Sequence, residues 1–101
     1  MDDTMFSREH ILEQLRQAKA ELENKYHVRS MALFGSYSRN EQTEASDVDV
    51  LVDFQPPISG FKYVDFAESL ETRLGLPVDV VIADGVKPRY REFIQEDLMY
   101  V

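Results

Sequence analysis

The segment Asp47-Val48-Asp49-Val50-Leu51-Val52-Asp53-Phe54 constrains the fold of this 101-residue chain more than any other. Its even positions, Val48, Val50, Val52 and Phe54, are all apolar. Its odd positions, Asp47, Asp49, Leu51 and Asp53, are mostly acidic. Strand side chains alternate between two faces. The pattern therefore predicts a strand over 47–54 with one face packed on helices and the other carrying charge. Asp47 and Asp49, at i and i+2, point the same way. Like charges so placed repel unless something positive sits between them. A pair of divalent metal ions about 3.5–4 Å apart is one arrangement that bridging carboxylates support. An EF-hand loop is excluded, because its glycine and glutamate positions fall on Val52 and Ile58.

The rest of the chain supplies the layers such a strand needs. Ser7 is placed to cap a helix over 7–26, in which Ile11, Leu12, Leu15, Ala18 and Leu22 recur at helical spacing. Val28–Phe34 reads as a strand ended by Gly35, and Ser36–Asn40 as one turn of helix. Glu41–Ser46 is polar and reads as a loop. Gln55-Pro56-Pro57-Ile58-Ser59-Gly60 is a second loop by its Pro-Pro and Gly. Residues 62–74 predict a helix with Tyr63, Phe66, Ala67, Leu70 and Leu74 on one side and Gly75 past its end. A third strand is expected at Val78–Ile82, a turn at Asp84-Gly85, and a last helix over 89–98. This order with short connections implies one α/β (α+β) domain over residues 1–101, with a small mixed sheet flanked by helices.

Composition narrows the functional classes. Eleven Lys+Arg against 19 Asp+Glu give a net charge of −8, which argues against direct nucleic-acid binding as the main role and favours bound cations or a basic protein partner. The absence of cysteine removes disulfides, thiolate metal sites and cysteine nucleophiles, and fits a cytoplasmic protein. Met1–Phe6 is acidic where a secretory signal would be basic. The apolar runs are strand-sized, so no membrane span is expected.

Three further pieces gather around Asp47 and Asp49. Asp79 lies in the predicted strand Val78–Ile82, and it completes a three-carboxylate cluster if that strand lies beside 47–54 with matching pleat. Gly35 permits close approach of backbone to a ligand. Ser36 adds a hydroxyl, and N–H groups at the start of a helical turn favour phosphate. Arg39 is a candidate for the phosphates or for a site carboxylate, with Ser38 a weaker one. Ser46 is a candidate to bond near Asp47. Asp53 has the right parity but lies about 13 Å further along the strand, outside the site. His10 and His27 share no ligand spacing and are expected to be structural. Together these features suggest metal-dependent phosphoryl or nucleotidyl transfer.

Taken jointly, Gly35-Ser36, ten intervening residues, Asp47-Val48-Asp49 and then Asp79 resemble the nucleotidyltransferase signature of the polymerase β superfamily. The run Gly35-Ser36-Tyr37-Ser38-Arg39 to Ser46-Asp47-Val48-Asp49-Val50-Leu51-Val52 looks like the minimal nucleotidyltransferase (MNT) group. Leu74–Val81 looks like its third-carboxylate strand, and Phe93–Val101 like its C-terminal helix and end. Within that group the likeness is to the antitoxins of HEPN/MNT toxin–antitoxin pairs, the type VII kind. The resemblance implies a polymerase β-like nucleotidyltransferase fold. It implies Mg2+-dependent transfer of AMP from ATP to a tyrosine of a HEPN-domain ribonuclease toxin, held as a hetero-oligomer. Asp47, Asp49 and Asp79 would be the catalytic, metal-holding residues for two Mg2+ ions, with Asp79 helping to deprotonate the incoming hydroxyl. Gly35, Ser36 and Arg39 would bind ATP. Two positions depart from the usual pattern: Asn40 follows Arg39 where glycine is common, and the acidic loop Glu41–Ala45 stands where a basic residue is common.

Other readings remain open at this point. One is an antitoxin that neutralises its toxin by contact alone. Another is a small-molecule nucleotidyltransferase, although those usually carry a further domain for the acceptor and none is expected here. A third is an α/β domain whose acidic face is incidental. Phe61, Tyr63 and Tyr90 are candidates for an apolar partner surface.

Overall fold

The computed structural model describes residues 7–101; the acidic stretch Met1–Phe6 lies outside the described residues. The elements are α1 (Arg8–Tyr26), β1 (Val28–Phe34), β2 (Val48–Phe54), α2 (Gly60–Leu74), β3 (Val78–Ile82), α3 (Pro88–Ile94) and β4 (Met99–Tyr100). Single 3-10 turns at Ala83–Gly85 and Gln95–Asp97 flank α3. The strands form one sheet in the order β3-β2-β1-β4. β1 is antiparallel to both β2 and β4, while β2 and β3 are parallel, so the sheet is mixed as expected.

Local chemistry accounts for most boundaries. Ser7 caps α1, its hydroxyl accepting from the His10 N–H at 3.1 Å. The helix stops at His27, a left-handed residue (φ 59°) whose N–H returns to the Glu23 carbonyl. Ser59 caps α2 in the same way, through the Lys62 N–H, so that helix begins at Gly60 rather than at 62. Gly75 ends it at φ 70°. Pro88 at the first position of α3 gives up no hydrogen bond there.

The strands sort the core into two layers. Leu33, Val48, Val50, Val52, Val78 and Val80 face Ile11, Leu15 and Leu22 of α1 and Phe66, Leu70 and Leu74 of α2. Phe66 meets Tyr26 and Phe54 edge-on, with centroids 5.3 and 5.1 Å away, pinning α2 to both α1 and the sheet. Each such fully buried side chain contributes about 1.5–3 kcal/mol. On the opposite face Phe34, Leu51 and Ile94 form a smaller cluster with Val81, Val86 and Leu98. Because Asp49 and Asp79 share parity with Leu51 and Val81, they lie on this thinner, α3-bearing side.

The C-terminus departs from expectation. A helix over 89–98 is replaced by seven residues of helix, a 3-10 turn and a two-residue strand. Ala32 and Leu33 pair with Tyr100 and Met99, and the Val101 N–H donates to the Met31 carbonyl at 3.0 Å. The edge of β1 needs a partner for its backbone groups, and the chain end supplies it.

Candidate active site

The acidic row is built by strand register. In the parallel β2–β3 pair, Asp49 and Asp79 are direct Cα partners, which sets neighbouring backbones about 4.8 Å apart. Asp47 lies just before β2, whose first residue, Val48, donates its N–H to the Pro77 carbonyl at 2.9 Å. Asp47 and Asp79 are exposed and Asp49 is half-buried.

The Gly35 turn closes on the same point. Asp49 is the antiparallel partner of Phe34, the last residue of β1. Gly35, next in sequence, has φ +79°. A Cβ there would overlap the Asp49 carboxylate, lying 3.1 Å from its Cγ. Only glycine satisfies both the left-handed backbone and this approach. From Gly35 the chain makes the expected single helical turn: Arg39 N–H to Gly35 carbonyl at 3.1 Å, Asn40 N–H to Tyr37 at 3.2 Å, and Glu41 N–H to Ser36 at 2.8 Å. The last two bonds form a Schellman ending around Asn40 at φ 61°. Asparagine thus does the work of the more usual glycine. Tyr37 is buried in the main core, which raises its phenol above the ordinary value and fixes the turn to the sheet.

Electrostatics single out one carboxylate. The Asp49 carboxyl is pushed up to about 6, first by burial and then by the charges of Asp79 and Asp47, with Arg39 opposing. Three acids supply oxygen donors only, which suits a hard cation. Among the described residues no three His, Cys, Asp or Glu side chains are grouped closely enough to hold a metal ion without rearrangement.

Other candidates fall elsewhere. Arg39 pairs with Asp97 at 2.6 Å and Glu41 at 3.0 Å rather than with the acidic row. The Ser46 hydroxyl accepts from the Thr43 N–H at 2.9 Å, closing its own loop rather than reaching Asp47. Asp53 lies at the far end of β2 beside Arg29, 3.7 Å away. Ser38 is buried, and its hydroxyl donates to the Asp97 carbonyl. Asp97 has no counterpart in the sequence-based reading: it is 58 residues from Arg39, and no local pattern marks it. Of the apolar candidates, Phe61 and Tyr90 are exposed. Tyr63 is half-buried and donates its hydroxyl to the Val80 carbonyl at 2.6 Å.

Comparison with known proteins places the chain in a family. The model of the nucleotidyltransferase domain family matches residues 15–101. The chain belongs to that family. This nucleotidyltransferase is 45% identical over 92 residues to the putative protein adenylyltransferase MJ0126 of Methanocaldococcus jannaschii, spanning 90% of this chain and 94% of that one. It is 39% identical to the protein adenylyltransferase MntA of Thermococcus cleftensis over 97 residues, 96% and 98% of the two chains. Among solved structures, a putative minimal nucleotidyltransferase superposes with a TM-score of 0.78 at 31% identity, covering 92% of this chain and 94% of the other. A toxin–antitoxin structure with AMP-PNP matches at TM-score 0.60 and 25% identity, over 70% of this nucleotidyltransferase and 59% of that chain. Among the described residues, no helix is long and apolar enough to cross a membrane.

Proposed function

We propose that this nucleotidyltransferase is a cytoplasmic antitoxin that moves AMP from ATP to a tyrosine of a HEPN ribonuclease toxin and thereby silences it. The observation that carries the reading is the register placing Asp49 beside Asp79 while Gly35 abuts the Asp49 carboxylate. Protein adenylyltransferase names among the relatives, and a toxin–antitoxin neighbour crystallised with AMP-PNP, support a protein acceptor and an adenine nucleotide as donor.

In this reading Asp47 and Asp49 hold two magnesium ions, with Asp79 completing the set. Magnesium held there would neutralise charge on the transferring phosphoryl group and on the departing pyrophosphate. The Gly35–Ser36 backbone and the Ser36 hydroxyl take the triphosphate oxygens, with Arg39 close by. The acceptor oxygen attacks the α-phosphorus. Its bond to phosphorus forms as the bond to the pyrophosphate oxygen breaks, and Asp79, exposed at the edge of the row, takes the hydroxyl proton. The half-buried Asp49 anchors the assembly.

The test is a transfer assay. The chain is incubated with magnesium, labelled ATP and the protein encoded by the neighbouring gene, and the partner's mass is measured. A gain of one or more AMP units is expected. A stable complex with no mass gain would replace catalysis by inhibition through contact. Neither label nor complex would return the choice to a small-molecule acceptor.

A further inference from the structure

We propose that Asp97 holds the Arg39 guanidinium out of the acidic row, leaving Asp47, Asp49 and Asp79 free for a divalent cation; the inference rests on reading that row as a metal site. Arg39 lies on the turn that begins against the Asp49 carboxylate. Its backbone N–H donates to the Gly35 carbonyl at 3.1 Å, and Gly35 abuts that carboxylate, so the arginine stem starts beside the row. A guanidinium carries five donors and matches carboxylates closely. Left unrestrained, it would pair with the acids nearest to it and cancel the charge that attracts the cation.

Two carboxylates restrain it. Glu41 accepts from Arg39 Nε at 3.0 Å, but the Glu41 side chain is 66% exposed and its pull is screened by solvent. Asp97 accepts from Nη1 at 2.6 Å, the shorter contact, with a side chain only 19% exposed, so solvent screens it less. Asp97 also grips the turn a second time, because its backbone carbonyl accepts from the buried Ser38 hydroxyl. On the other side the Ser38 carbonyl accepts from Arg8 Nη1 at 3.2 Å. The turn is thus tied to α1 and to the C-terminal segment. Of the bonds that Asp97 makes to the turn, only the one from its side chain acts on the Arg39 charge.

That division makes the idea separable from a structural role. Asp97→Asn keeps the backbone carbonyl, and so the bond to Ser38, and removes only the charge facing Arg39. The experiment titrates each variant with Mn2+ in the absence of nucleotide and reads free Mn2+ by electron paramagnetic resonance, with thermal melting as a check on folding. Asp97→Asn is expected to weaken Mn2+ binding about fivefold to tenfold. Asp97→Glu is expected to retain binding near the wild-type value. The double variant Arg39→Gln/Asp97→Asn is expected to recover to within about twofold, because the intruding cation is gone. Glu96→Gln, which changes the net charge by the same amount one residue away, is expected to bind as wild type. Unchanged binding by Asp97→Asn, or a double variant as weak as Asp97→Asn, would overturn the proposal while leaving the metal reading intact. A wild-type chain that binds no Mn2+ would overturn both.

Discussion

The two ends of β2 carry the same residue on the same face and use it in opposite ways. Asp53 sits beside Arg29, with a cation 3.7 Å from its carboxylate. Asp49, four residues earlier, faces Asp79 across the parallel pair and Asp47 along the chain, and its carboxyl rises to about 6. One end sets a cation beside one carboxylate oxygen, the other oxygen being buried without a partner; the other end sets like charges together. A protein keeps clustered, half-buried, like charges against their repulsion where something else is to supply the counter-charge. The contrast therefore makes the N-terminal end of β2, where β1 ends and β3 begins, the candidate working end.

The largest effect that can sharpen this contrast is at that end. Asp47→Asn with Asp49→Asn is expected to abolish nucleotide transfer, by about a thousandfold or more, since it removes several kcal/mol of metal-borne charge stabilisation. The circular dichroism spectrum should be unchanged. Normal transfer by the double variant would end the site assignment. Gly35→Ala comes next. It forces a Cβ into the Asp49 carboxylate and a left-handed backbone onto alanine. An expected loss of about 1–3 kcal/mol in folding stability and about a hundredfold in transfer would separate it from Gly75→Ala. Gly75 also has positive φ, but nothing lies within 4 Å of a Cβ there. Urea titrations of the two variants, with transfer rates alongside, make that comparison.

The Asp49 carboxyl gives a smaller, pH-dependent effect. Its folded value, about 6, lies above the ordinary 3.8. The folded state therefore holds this proton more tightly than the unfolded chain. Metal-free stability should fall as pH rises between about 4 and 6, and stay lower above that. The shift sets a ceiling of about 3 kcal/mol, and solvent reaching the half-buried carboxylate reduces it to about 1–2 kcal/mol. Asp49→Asn should therefore be more stable than wild type at pH 7 without metal, and should flatten the profile. Thermal melts at pH 4 and pH 7 in a chelator measure both. A variant less stable than wild type at pH 7 would show that Asp49 is compensated after all.

Much of this was legible in residue order because the signals are local. Alternation marked β2, helical spacing marked α1 and α2, and the paired aspartates with Gly35-Ser36 marked the candidate site. What was not legible depends on contacts across the fold. β4 exists because the edge of β1 takes Met99 and Tyr100 as partners, and two residues are too few to show a period. The start of α2 depended on Ser59 acting as a cap within a Pro- and Gly-bearing loop. Arg39 could be assigned to phosphate or carboxylate from its position alone, but the choice of Asp97 is made by a segment 58 residues away.

The smallest effect tests the Asp53 end. Asp53→Asn breaks a long ion pair with Arg29, whose side chain is two-thirds exposed. Such pairs are worth at most about 1 kcal/mol. Asp53 shares the parity of Asp49, so parity alone assigns it the same role. Its distance along the strand, about 13 Å, and its cation assign it none. The expected outcome is a stability change under about 1 kcal/mol in urea titration, with wild-type transfer and wild-type Mn2+ affinity. A drop in Mn2+ affinity matching that of an Asp79→Asn variant would mean that the acidic face acts as a whole along β2. In that case the charge pattern of the strand, rather than its junction with the Gly35 turn, would define the site.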